Sequence, residues 1–128
     1  MRPSLALSIG AVFAVVPGFA FLLFPAQMMS GFGLGAPEEA LIVMRDGGVT
    51  LIGVGVIDWM ARNATGAPLR GLLWGNIFIW VVDGAVNAWE IVVAMIPPAA
   101  AFSLVLPLAL TIVFALGLRH PSARPDQT

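Results

Sequence analysis

The chain has 128 residues, of which 59% are hydrophobic and 10% charged, with a net charge of −1; its mean hydropathy is +0.97. A soluble domain carries about a quarter charged residues, so this chain has too few charges to cover a water-facing surface, and lipid is the better solvent for it. The lack of a basic footprint excludes nucleic acid as a partner. The absence of cysteine excludes disulfides, thiolate nucleophiles and Cys-ligated metal. The single histidine, His120, sits in a polar tail, so haem or chlorophyll held axially by an intramembrane His is not expected, while pigments with other ligands stay open; no metal-site residue is assigned.

A helix needs about 20 mostly apolar residues to cross the hydrocarbon core, and four segments qualify. The first runs from about Leu5 to Phe24, where Pro25 ends it. It opens like a signal peptide after Arg2, but its apolar run is longer than a signal core and has no small-x-small cleavage site, so a retained helix is expected. The stretch Phe24 to Met29, with Phe32 and Leu34, is too short to span and reads either as an apolar flap in the interface or as a Gly-rich connector.

The second segment runs from about Ala40 to Met60, the third from about Gly71 to Met95, and the fourth from about Ala99 to Leu118. A polar turn over 61–70 and the Pro97-Pro98 corner join them. The tail over 119–128 is polar, Pro-containing and expected to be disordered. The fold class is therefore all-α, an integral membrane four-helix bundle in one domain over 1–118 followed by that tail.

Orientation follows arginine placement. With both termini cytoplasmic, Arg2, Arg62, Arg70, Arg119 and Arg124 all fall inside, and the outer loop carries Glu38 and Glu39. Asn63-Ala64-Thr65 matches a glycosylation pattern but lies on the inner side by this bias. Trp59, Trp74 and Trp89 near helix ends suit an interfacial belt.

Ionisable groups inside a membrane are costly and turn toward the bundle interior. On the third helix Asn76, Asp83, Asn87 and Glu90 are spaced by seven, four and three, which places them on one face with Trp80 between the first two. With a rise of roughly 1.5 Å per residue, Asp83 lies slightly past the midplane and Glu90 about 10 Å further out. Arg45 and Asp46 of the antiparallel second helix fall near the level of Asn87, so Arg45 is expected to pair with Glu90 or Asp83. Pro17 and Pro107 lie at the depth of Asp83 and are expected to kink their helices there.

Two readings of this network stay open. In one, Arg45, Asp46, Asn76, Trp80, Asp83, Asn87 and Glu90 line a polar pocket in the outer half of the bundle. In the other they form a closed structural network. Asp58, four residues before Arg62, reads as an ordinary i,i+4 pair. Gly47, Gly48, Gly53 and Gly55, and the GxxxG pair Gly71 and Gly75, read as internal packing seams. No Walker loop, dinucleotide fingerprint, HExxH or GxSxG is present.

The stretch from Arg45, Gly47 and Gly48 through Gly53, Gly55, Trp59 and Arg62 has the form R-x-G-G-x4-G-x-G-x3-W-x2-R. With four spans and a short arginine-bearing inner loop, it resembles the DoxX-like small four-helix membrane proteins of bacteria. The resemblance implies the fold and a bacterial inner membrane; some of that family look like subunits of quinone-linked oxidoreductases.

Three functions follow as expectations. The first is an accessory subunit of a larger membrane complex, associating with other subunits or with itself. The second is a binding module for a lipophilic molecule such as a quinone, isoprenoid or pigment, using Arg45, Trp80, Asp83 and Asn87. The third is an intramembrane proton-transfer enzyme or small transporter with Asp83 as the candidate catalytic acid.

Overall fold

In hydrocarbon each backbone amide must find its partner within the chain, so a long apolar run resolves into a helix. The computed structural model describes residues 1–124. Every element in it is helical, and four helices are long and apolar enough to cross a membrane. These are α1 (Pro3–Leu23), α3 (Glu38–Ala61), α4 (Gly66–Val92) and a fourth span over Pro98–Leu118. The short α2 (Pro25–Gly31) follows α1, and the fourth span is a 3-10 turn, Pro98–Leu104, continued by α5 (Val105–Leu118). The end that holds Pro3, Arg62 and Leu118 is called basal below, and the end that holds Leu23, Glu38 and Val92 distal.

The boundaries differ from expectation in places where local chemistry explains it. α4 starts at Gly66, ahead of the expected Gly71, because Pro68 falls in its first turn, where a missing N–H costs nothing. It ends at Val92, short of Met95. Ala94 there takes a left-handed φ of 60°, and the N–H groups of Met95 and Ile96 cap the Glu90 carbonyl. Pro107 does not sit in mid-helix. It is the third residue of α5, directly after the 3-10 turn, where helices accept proline. Pro17 lies inside α1 as expected.

The stretch after α1 is not a plain connector. It folds as α2 with Pro25 and Met29 buried, and Phe32 beyond it stacks on Phe102, ring centroids 5.6 Å apart. The tail also departs from expectation, because Pro121–Ala123 forms a 3-10 turn whose Ala123 is fully buried in the core. His120 Nδ1 accepts the Ser122 N–H and holds that turn. Residues 125–128 lie outside the described residues.

The helices pack in the order α3, α1, α5, α4, and the α3–α4 side is left largely open. The α1–α3 seam is backbone against backbone. A Cβ added at Gly48 would lie 2.6 Å from the Gly18 carbonyl oxygen, so only glycine fits this crossing. The packed core occupies the basal half, where Ala6, Leu7, Leu69, Leu73, Leu110 and Phe114 are buried together.

The expectation of purely internal glycine seams needs correcting. Gly48 and Gly55 pack on α1, but a Cβ at Gly47, Gly53, Gly71 or Gly75 would meet nothing within 4 Å. The reason is the weak α3–α4 contact: Gly71 and Gly75 line an open groove of about 380 Å³ instead of a helix crossing.

Candidate functional site

The polar residues of α4 divide into two groups along its length. Asn76 is buried at 4% exposure, and its Nδ2 donates to Asp58 Oδ1 of α3 at 2.8 Å and to the Leu72 carbonyl at 3.1 Å. Asp58 is 1% exposed. It reaches the centre of the basal half, where its Oδ2 lies 3.1 Å from the position a Cβ on Gly10 of α1 would take. The second oxygen of each group, Asp58 Oδ2 and Asn76 Oδ1, has no hydrogen-bond partner.

The expected Asp58–Arg62 pair is not made. Arg62 donates to the Trp59 carbonyl and lies over the Trp59 ring, 4.2 Å from its centroid, while Asp58 turns inward. A signal for this was present in the sequence. Gly48, Gly55 and Asp58 are spaced by seven and three, which puts the carboxylate on the glycine face that must meet another helix.

Asp83 and Asn87 lie further along α4 and line a cavity of about 430 Å³ in the distal half. Its walls come from every long helix: Pro17 and Phe21 of α1, Leu51 of α3, Trp80 of α4, and Leu106 and Pro107 of α5. Met28, Phe32, Phe102 and Ser103 line the rest, and the Phe32–Phe102 stack forms one wall. Pro17 and Pro107 thus lie around the same space as Asp83. A neighbouring cavity of about 300 Å³ shares Phe32 and Asn87 with it and includes Glu90.

The polar groups of this cavity are only partly satisfied by the protein. Asn87 Nδ2 donates to the Asp83 backbone carbonyl at 2.9 Å. Trp80 is 4% exposed, yet its Nε1 has no acceptor, and the Ser103 hydroxyl is likewise without a partner. Buried polar atoms are normally paired; Trp80 and Ser103 line this cavity with their orphan atoms themselves buried, as Asp58 Oδ2 and Asn76 Oδ1 are beside the basal groove.

Arg45 and Asp46 do not join this constellation. Both are exposed on α3, and among the described residues neither forms an ion pair with Asp83 or Glu90. The cause is angular. At about 100° per residue, Arg45 lies roughly 140° around α3 from Asp58, the residue that faces α4. The glycine seam fixes the rotation of α3 against α1 and turns Arg45 and Asp46 outward. Depth matching alone could not supply that rotation.

The cavity can therefore hold an apolar body against aromatic and proline surfaces, with Asp83 and Asn87 as its polar lining and Trp80 and Ser103 in its wall. A proton relay requires a donor and an acceptor at the same substrate. Among the described residues, Asp83 is the ionisable group that lines this space. No group of three or more potential metal-ligating side chains occurs among the described residues. No family model, curated protein or solved structure matches the chain.

Proposed function

We propose that this protein is a membrane-embedded binding module for a lipophilic small molecule of the quinone, isoprenoid or pigment kind, seated in the distal cavity. The observation that carries the reading is the combination of an apolar cavity of about 430 Å³ with the unpartnered Trp80 Nε1 and Ser103 hydroxyl beside Asp83 and Asn87. Small-molecule sites have volumes of about 300–1,000 Å³, mostly apolar walls and a few placed polar groups. Pro17, Phe21, Leu106 and Pro107 supply the apolar walls, and the two orphan donors suit a carbonyl or hydroxyl oxygen on the ligand.

The arginine bias supports an orientation with both termini cytoplasmic. In that orientation the cavity lies in the outer half of the bilayer. The resemblance to DoxX-like proteins supports the bacterial inner membrane as its location and quinone-linked chemistry as its setting. The alternative of an accessory subunit draws support from a different observation, the uncovered outer face of α3.

The test is co-purification. Native mass spectrometry of the protein released from mild detergent is expected to show a bound species of small-molecule mass, and Asp83→Leu is expected to abolish it. A wild-type protein that carries no such adduct, or an adduct retained equally by Asp83→Leu and Trp80→Ala, would overturn the reading.

A further inference from the structure

α3 is the span least covered by its own chain, with 11% of its apolar stretch buried against 33% for α1. Its uncovered face carries Ile42, Asp46, Val49, Gly53, Val56 and Met60, all exposed. Their spacing is four, three, four, three, four, the repeat by which two helices wind around each other. Space at Gly53 is open, and a small residue in such a seam lets a second backbone approach closely. Beside the seam, a groove between Val12, Val16, Val56 and Trp59 extends the apolar surface onto α1.

Arg45 and Asp46 determine what covers this face. They lie roughly 11 Å along α3 from its start and about 100° apart around it, so they cannot face each other. Facing lipid, each is costly. Any partner must present an acid opposite Arg45 and a base opposite Asp46 at the same depth. A parallel second copy related by a two-fold axis along the membrane normal does so automatically. The line midway between the two side chains runs down the seam, so Arg45 of each copy meets Asp46 of the other on either side of it.

We propose that the protein is a parallel homodimer through α3, held by two reciprocal Arg45–Asp46 pairs with Gly53 at the close approach. Leu51, the α3 residue that lines the distal cavity, is about 170° around the helix from this seam. The dimer therefore leaves the ligand site free, and the two proposals stand or fall separately.

The chain contains no cysteine, so single introduced thiols report cleanly. In native membranes under mild oxidation, Val49→Cys is expected to yield a disulfide species of twice the chain mass. Phe78→Cys, on the exposed side of α4, is expected to yield none. Adding Asp46→Arg or Arg45→Asp alone to Val49→Cys should lower the cross-link at least about tenfold, measured at equal protein in the membrane. Adding both together, which reverses the pair, should restore it. The proposal fails if Val49→Cys gives only monomer or a cross-linked species of another mass. It fails equally if the single charge variants leave the cross-link unchanged, or if the reversed pair does not restore it.

Discussion

Asp58 with Asn76 and Asp83 with Asn87 are chemically the same pairing of acid and amide, yet the two halves of the bundle treat them differently. In the basal half the acid and amide are buried and joined directly, at 2.8 Å, among the packed side chains of α1, α4 and α5. In the distal half the amide bonds to the backbone, and Asp83 lines open space beside two orphan donors. The contrast teaches that a polar side chain in a membrane helix is not by itself a functional signal. Both halves leave polar atoms unpartnered, so the difference lies in what the acid and amide face: Asp58 and Asn76 bond each other beside a groove between α3 and α4, whereas Asp83 and Asn87 line a cavity walled by all four spans.

Substitutions in the two halves can break or sharpen this contrast, and the largest effect is expected in the basal core. Phe114 is fully buried, and Phe114→Ala should cost about 2–3 kcal/mol in unfolding from detergent. That is the packing part of the roughly 3–5 kcal/mol seen for such truncations in soluble cores, because the unfolded reference is itself in an apolar medium. Next comes Asn76→Leu, which leaves a buried carboxylate without its hydrogen bond and should cost about 1–3 kcal/mol by the same measurement.

Asp83→Leu should abolish ligand binding, yet change the unfolding of the ligand-free protein by no more than about 0.5 kcal/mol. If Asp83→Leu destabilises the ligand-free protein as much as Asn76→Leu does, the distal acid is structural and the contrast between the halves collapses. The smallest effect is expected at the basal surface. Arg62→Ala removes an exposed cation–π contact with Trp59 and should change thermal stability by less than about 1 kcal/mol.

Much of the architecture was legible without coordinates. Apolar length placed all four spans within a few residues, because in lipid a backbone has no alternative to internal hydrogen bonding. Helical spacing put Asn76, Asp83, Asn87 and Glu90 on one face of α4, and depth matching put Pro17 and Pro107 at the level of Asp83; Asp83, Asn87, Pro17 and Pro107 line one cavity, whereas Asn76 bonds Asp58 in the basal half. What failed was chiefly what depends on how one segment is turned against another. Arg45 was matched in depth to Glu90 and Asp83 but turned to the outer face. Asp58 was assigned to Arg62 but turned to Asn76. Ala123 was assigned to a disordered tail but fills the basal core.

The sequence alone therefore determined the number and approximate length of the helices and the position of each polar group along them, since these depend only on hydropathy and on a fixed rise per residue. Only the tertiary structure decided which groups meet. The azimuth of each helix is set by close contacts such as Gly18 on Gly48, and such a contact is a property of two segments together. That one crossing turned Asp58 into the core and sent Arg45 and Asp46 to the outer surface.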